Sequence, residues 1–143
     1  MKVKSILAKK GPTVLTIEPE ATLGDLVRQL VEHRIGAMVV TARGRGTIVG
    51  IVSERDVVRV CAGHGAAALY LPVAEVMTKE VRLCAPEDDI NDIMAVMTNQ
   101  RLRHLPVLDE GRLVGIVSIG DVVKHRLDEL GQEVGMWREL FAQ

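Results

Sequence analysis

An internal repeat constrains the fold of this chain more than any other feature of its sequence. The segments Val49–Val58 (VGIVSERDVV) and Val114–Val123 (VGIVSIGDVV) differ only at the two positions before the aspartate. Upstream, after a two-residue change of register, positions 19–30 align with positions 86–97. Nearly all of the 143 residues therefore belong to two copies of one unit, which predicts a duplicated fold.

Both copies predict the order β-α-β-β-α, and so an α+β fold. In the first copy we expect a strand at Thr13–Ile17, a helix from Thr22, hairpin strands at Ala37–Thr41 and Ile48–Ser53, and a second helix from near Ser53. In the second copy we expect a strand at Val81–Cys84, a helix at Asp89–Asn99, hairpin strands at Leu105–Leu108 and Leu113–Ser118, and a second helix from Ser118. The hairpin loops contain glycine, which favours tight turns: Arg43-Gly44-Arg45-Gly46 and Asp109-Glu110-Gly111.

Composition argues against a nucleic-acid or membrane partner. The 18 Lys and Arg residues are balanced by 19 Asp and Glu, and aromatic residues make up only 2% of the chain. The longest apolar run, at 66–74, is far shorter than the ~18 residues that a membrane span needs. The N-terminus lacks a signal-peptide pattern, so we expect a cytoplasmic protein. Cys61 and Cys84 form no C-x-x-C motif and are expected to be reduced, apolar residues.

The motifs of common enzyme classes are absent from the sequence. The four histidines have no metal-ligand spacing, and no HExxH, G-x-S-x-G or P-loop motif occurs: His33, His64, His104 and His125. Neither cysteine has a local sign of thiol activation. The sequence therefore predicts neither an enzyme nor a metal site.

Three motifs carry a resemblance to a known family. They are G-I-V-S-x-x-D-V-V at each strand-to-helix turn, V-x-E-V-M-T at 73–78, and R-H-L-P-V at 103–107. Together with the β-α-β-β-α order, they resemble the cystathionine-β-synthase-like (CBS) repeats, over about Val3 to Leu127. On this basis the chain divides into a first repeat, a linker, a second repeat and an amphipathic extension at 1–62, 63–72, 73–127 and 128–143.

The resemblance implies a fold and a ligand class. Two such repeats pack with pseudo-two-fold symmetry and leave clefts between them, and the pairs usually dimerise, so we expect a homodimer. The clefts commonly bind adenosine compounds, with no obligatory cofactor. AMP, ADP or ATP is our first expectation, and NAD or S-adenosylmethionine is the alternative. Such pairs are usually regulatory, so an unidentified regulated protein is the expected partner.

The candidate ligand-binding residues begin with Ser53 and Asp56, and with Ser118 and Asp121. A carboxylate can accept bonds from both ribose hydroxyls, and a serine at a helix N-terminus places its hydroxyl and free N–H groups near a phosphate. The alternative is purely structural, because S-x-x-D is also a capping-box pattern. Duplication copies a cap as faithfully as a binding site, so the sequence leaves both interpretations open.

The two copies differ in their candidate phosphate contacts. Arg55 is expected to contact phosphate in the first copy, and Arg103 with His104 in the second, although each is also compatible with a solvated surface charge. If only one site is occupied, the pair of basic groups favours the site with Asp121. With few aromatics, adenine is expected to contact backbone groups and aliphatic side chains near four further residues: Thr16, Ala37, Leu83 and Pro106.

A third hypothesis is an interaction module that binds no small molecule. Leu127, Leu130, Val134, Trp137, Leu140 and Phe141 recur at near-helical spacing beyond the repeats. Gly131 and Gly135 lower the helix propensity of the same segment. Such a stripe packs on its own domain, on a dimer mate or on a partner protein, and the sequence does not distinguish these.

Overall fold

The structure is a computed structural model that describes residues 1–42 and 46–141. Its helices within that range are α1 Val3–Lys10, α2 Leu23–His33, α3 Glu54–His64, α4 Val73–Val76, α5 Ile90–Gln100 and α6 Ile119–Phe141, with a 3-10 helix at Gly65–Tyr70. Its strands are β1 Thr16–Ile17, β2 Ala37–Thr41, β3 Ile48–Ser53, β4 His104–Asp109 and β5 Arg112–Ser118. The predicted α+β class is confirmed. Residues 43–45 of the first predicted loop lie outside the described residues.

The chain forms two compact units, of which the first spans Val14–Arg82. Its sheet has the order β1-β2-β3, with β1 parallel to β2 and β2 antiparallel to β3. A capping box opens α2 at the predicted residue Thr22, since the Thr22 side chain accepts from the Asp25 N–H and the Asp25 carboxylate accepts from the Thr22 N–H. Strand β2 is buried along its whole length, which centres this core on the sheet.

The second unit combines Met1–Thr13 with Leu83–Gln143. Strands β4 and β5 form an antiparallel hairpin, as predicted, and pair from His104 with Ser118 to Asp109 with Arg112. Glu110 and Gly111 form its two-residue loop with φ of 51° and 80°. A loop with two left-handed residues matches the twist of the flanking strands.

The duplication is visible in the strand register of the two units. In the first unit Ala37 pairs with Ser53 and Ile17 with Val40. In the second, His104 pairs with Ser118, and Cys84 forms a parallel bridge with Val107. Each pair in one unit is therefore the counterpart of a pair in the other.

The predicted strand Val81–Cys84 is wrong except at its last residue. Only Cys84 bridges β4, where its N–H donates to the Pro106 carbonyl at 3.0 Å. A parallel ladder continuing toward Val81 needs a backbone N–H at position 106, and proline has none. The first unit has Val39 at the corresponding position, and there β1 extends over Thr16 and Ile17.

The segment that opens each copy packs in the core of the unit formed mainly by the other copy. Val73 and Val76 of α4 belong to the first unit's core, whereas Val3 and Ile6 of α1 belong to the second's. The motif glycines make this packing possible. A Cβ on Gly50 would lie 2.8 Å from the Thr78 carbonyl oxygen, and one on Gly115 would clash with the Leu7 side chain. The glycine of each VGIV motif therefore leaves room for a crossing segment: the residues just after α4 over β3 in the first unit, and α1 over β5 in the second.

The C-terminal segment does not form a separate element. Helix α6 runs without interruption from Ile119 through Gly131 and Gly135 to Phe141. The segment predicted as a linker between the repeats contains the short 3-10 helix.

Candidate functional site

Ser53 and Asp56 form a capping box at the start of α3. Oδ2 of Asp56 accepts from the backbone N–H of Ser53 at 2.9 Å, and the Ser53 hydroxyl oxygen accepts from the Asp56 N–H at 3.4 Å. The other carboxylate oxygen, Oδ1, accepts from the exposed Arg59 guanidinium at 3.2 Å. Both oxygens of this carboxylate therefore already have partners on its own helix and cap.

Ser118 and Asp121 repeat this geometry at the start of α6. Oδ2 of Asp121 accepts from the Ser118 N–H at 2.9 Å, and the Ser118 hydroxyl oxygen accepts from the Asp121 N–H at 3.1 Å. The structural interpretation of S-x-x-D is thus correct for both copies. It does not exclude ligand binding, because a carboxylate has about four lone-pair sites and the cap at Asp121 uses one of them.

Lys10 is the residue that the sequence analysis missed. Its Nζ, at the end of α1, donates to Oδ2 of Asp121 at 2.7 Å and to the Ile116 carbonyl at 2.8 Å. Within the described residues, both hydrogen bonds accepted by the Asp121 carboxylate therefore end on Oδ2. The available signal was a third repeated pattern, in which Val3, Ile6 and Leu7 have the spacing of Val73, Val76 and Met77.

The environment of Asp121 favours its charged form. Burial of this carboxyl raises its pKa, but the hydrogen bond and charge of Lys10 and the hydrogen bonds from Ser118 outweigh burial and lower the pKa below its usual value. Its side chain keeps 25% of its surface exposed. Asp121 is therefore an ionised acceptor that solvent, or a ligand, can reach.

The predicted basic residues separate by unit. Arg55 is exposed on α3, one residue before Asp56. In the second unit, His104 pairs with Ser118 across the hairpin, and the Arg103 carbonyl accepts from the Ile119 N–H at 2.8 Å. Arg103 is exposed and His104 is half-buried. The second unit thus brings two basic residues and Lys10 to the segment that begins α6.

The four residues predicted near adenine also divide between the units. In the first, Ala37 is buried beside Ser53, and Thr16 pairs with Val39 on the neighbouring strand. In the second, Pro106 is buried, while Leu83 is exposed next to the Cys84 bridge. In each unit these residues therefore lie on or beside the sheet whose last strand ends at the candidate serine, Ser53 or Ser118.

The described residues contain neither a metal-binding cluster nor a membrane-spanning helix. No cluster of three or more His, Cys, Asp or Glu side chains with metal-binding geometry occurs in them. Likewise, no helix in residues 1–42 and 46–141 is long and apolar enough to cross a membrane.

The family follows from a direct comparison with known proteins. The family model of the CBS domain matches twice, over residues 3–63 and 73–128. The chain belongs to the CBS domain family. Both CBS matches open on a helix that packs in the core of the other unit, α1 in the first and α4 in the second.

Similar CBS proteins include a relative and solved structures. The mitochondrial CBS domain-containing protein CBSX3 of Arabidopsis thaliana is 32% identical over 139 residues, covering 92% of this chain and 68% of that protein. The crystal structure of the CBS-domain containing protein ATU1752 from Agrobacterium tumefaciens is 45% identical, with a TM-score of 0.84, and covers 88% of this chain and 99% of that one. These comparisons establish a CBS pair and the architecture of its two repeats.

A more distant structure shares the fold. The CBS domain pair of protein MJ0100, solved with 5′-methylthioadenosine and S-adenosyl-L-methionine, is 22% identical with a TM-score of 0.79. It covers 90% of this chain and 98% of that one. At this identity the match concerns the fold alone.

Proposed function

We propose that this CBS pair is a regulatory module that binds an adenine nucleotide, AMP, ADP or ATP, and signals energy or cofactor state to a partner protein. The observation that carries the proposal is the Asp121 carboxylate. Its cap and Lys10 both use Oδ2, so with respect to residues 1–42 and 46–141 the lone pairs of Oδ1 remain for ribose hydroxyls. Because the carboxylate is ionised, these bonds are charge-assisted and strong.

The groups around Asp121 suit a phosphate. The start of α6 supplies the positive end of its dipole, although the N–H groups of Ile119 and Asp121 already donate to the Arg103 carbonyl and the Ser118 hydroxyl. Lys10 has three donors and uses two of them within the described residues, and Arg103 is exposed on the same unit. The first unit offers Arg55 beside Asp56, whose carboxylate is held by Arg59. We therefore expect the tighter site at Asp121 and a weaker one at Asp56, with Thr16, Ala37, Leu83, Pro106 and His104 near the bound nucleoside.

The fold relation to the MJ0100 pair supports the ligand class. That protein is described with two adenosine compounds, so this fold can bind an adenosine group. S-adenosylmethionine and NAD share that group and remain the alternative ligands. The module itself is expected to have no catalytic activity.

A homodimer is the assembly we propose. Val31 on α2 and Val58 on α3 are 74% and 70% exposed, and both line a surface cavity of about 550 Å³ on the first unit. Exposed β-branched side chains around an apolar concavity are typical of a contact surface. A second copy would bury them.

The decisive experiment compares three chemically identical substitutions. Asp121→Asn and Asp56→Asn remove the charge at the two proposed sites, while Asp25→Asn changes the same capping box on α2, outside the proposed site. Calorimetric titration with AMP, ADP, ATP, NAD and S-adenosylmethionine should show a loss of affinity of about tenfold or more for Asp121→Asn and none for Asp25→Asn. Equal affinities in all three variants would contradict the site.

A thermal-shift panel precedes the titrations. A nucleotide present at one hundred times its dissociation constant should add ~2.7 kcal/mol to the free energy of unfolding. If no adenine compound at millimolar concentration shifts the ligand-free protein, nucleotide binding is refuted, and the interaction module becomes the better hypothesis.

A further inference from the structure

The exposed face of α6 has the spacing of a two-helix seam. Five apolar residues, which we call the C-terminal stripe, alternate at intervals of three and four: Leu127, Leu130, Val134, Trp137 and Phe141. This places them at successive a and d positions of a heptad repeat. Their exposures run from 40% at Leu130 to 79% at Phe141. Nothing among the described residues of the chain covers this face.

The helix that carries the stripe also needs an outside partner for its stability. From Gly131 to Phe141 every described side chain is exposed. Isolated helices of this length are marginal in water, and each of Gly131 and Gly135 costs about 1 kcal/mol relative to alanine. Both glycines lie off the stripe, at the e and b positions. The described part of the chain therefore leaves helix α6 exposed along these residues.

Charges beside the stripe identify the occupant as a second copy of α6. With Leu127 at position a, Glu133 is at g and Arg138 is at e. In a parallel pair, a g residue faces the e residue five positions later in the other helix, so Glu133 of each copy meets Arg138 of its mate. Both side chains are exposed, so they can reach across the seam. A symmetric pair thus gains this attraction twice.

An antiparallel pair lacks this complementarity. It would bring e residues together and g residues together. With the stripes centred on each other, Lys124 would then face Arg138, and Glu133 would face its own copy. Both contacts join like charges, which destabilise an interface. The charge pattern therefore selects the parallel arrangement.

We propose that the C-terminal stripe pairs in parallel with the same stripe of a second copy, so that α6 holds the homodimer together. This inference rests on the proposed homodimer and is independent of nucleotide binding. Trp137 and Phe141 stack with ring centroids 5.8 Å apart and give the seam a large apolar end.

Site-specific cross-linking tests the geometry. In a Cys61→Ser background, Leu127→Cys places a thiol at the first a position, and mild oxidation should join two copies, because parallel helices bring identical a residues together. The matched control is Gln132→Cys at the outward f position, which should remain uncross-linked. In an antiparallel pair, position 127 would lie near position 137 of the mate. Absence of the 127–127 cross-link, or equal cross-linking at 132, overturns the proposal.

A charge exchange tests the specific contact. Glu133→Arg should raise the dimer dissociation constant about tenfold, because two attractions become repulsions, and adding Arg138→Glu should restore it. The readout is sedimentation equilibrium, with ATP titration of the same samples. If neither substitution changes the dimer dissociation constant, the seam is overturned, but the homodimer is not. If the unsubstituted protein does not bind ATP, the proposed function is wrong and the seam is unaffected.

Discussion

The Nζ of Lys10 lies 2.7 Å from Oδ2 of Asp121 and joins the end of α1 to the first turn of α6. The corresponding carboxylate of the first unit, Asp56, has no such long-range partner among the described residues and is paired with Arg59 one turn along its own helix. Duplication has thus produced two equal caps with different cations. The difference lies in which segment crosses each unit, and it makes the two carboxylates chemically distinct.

Replacing Lys10 should separate phosphate recognition from nucleoside recognition. Lys10→Met keeps the length of the side chain but removes its charge and donors. We expect AMP and ATP to bind about tenfold more weakly, the cost of one charge-assisted hydrogen bond, and adenosine to be nearly unaffected. Calorimetric titration of the three ligands measures this.

Lys9→Met is the matched control for that prediction. Lys9 is the neighbouring residue, and its ammonium pairs with Asp128 at 3.4 Å rather than with Asp121. It should leave all three affinities unchanged. An equal loss for adenosine and AMP in Lys10→Met, or tighter AMP binding, would contradict the phosphate role.

Local interactions of this protein were predictable from its sequence, and long-range ones were not. The capping boxes at Ser53 and Ser118 were one of the two interpretations that the sequence allowed, because both partners of each box lie within one helical turn. The contact from Lys10 to Asp121 spans 111 positions and depends on which core receives α1. The spacing of residues within one segment does not indicate which unit's core that segment enters.

The failed strand at Val81–Cys84 has the same kind of cause. Its residues are suited to a strand, and the error lay in the partner, since Pro106 has no N–H with which β4 could extend the parallel ladder beyond Cys84. Predicting this required the register of Cys84 against Val107. The candidate Ser and Asp residues were found by the repeat, whereas the cation beside Asp121 required the tertiary structure.

Acid should remove a stabilising contribution of Asp121. Its pKa is lower in the folded protein than the usual value of about 3.9, so this contribution is fully present above pH ~4 and is lost as the pH falls through the folded pKa. We expect Asp121→Asn to be less stable than the parent at pH 7, and the difference to shrink at pH 3. Urea unfolding at the two pH values measures it.

Lys10→Met provides the internal check on the acid effect. Because Lys10 is one of the groups that lower the pKa of Asp121, the acid-dependent part of the difference should be smaller when Asp121→Asn is made in the Lys10→Met background. An unchanged pH dependence in the double variant would mean that other carboxylates are responsible.

The motif glycine of the second repeat should be intolerant of even a methyl group. Gly115→Ala places a Cβ against the Cδ2 methyl of Leu7, so that side chain must change its rotamer or α1 must shift. Overpacking of this kind costs about 1–3 kcal/mol, and any displacement of α1 also moves Lys10 away from Asp121. We expect a lower free energy of unfolding in urea together with weaker AMP binding.

Gly120→Ala is the control for overpacking. A Cβ there would meet only the Ser118 hydroxyl oxygen, at an ordinary 3.6 Å, and alanine favours a helix. It should leave stability unchanged or slightly raised. Shortening the opposing side chain with Leu7→Ala should partly rescue Gly115→Ala, and a Gly115→Ala variant of full stability would refute the close approach.

The two cysteines should react at very different rates. Burial, with a smaller effect from the charge of Asp88, raises the pKa of the Cys84 thiol to about 12, so almost no thiolate exists at neutral pH. Cys61 is only half-buried on α3. Labelling of the native protein with a thiol reagent at pH 8 should therefore modify Cys61 first, and Cys84 should label only at the rate at which the second unit opens.

In Cys61→Ser the fast phase of labelling should disappear, and adding denaturant should accelerate the remaining slow phase. A fast phase that survives this substitution would place Cys84 in contact with solvent and contradict the burial of the bridge between Cys84 and β4.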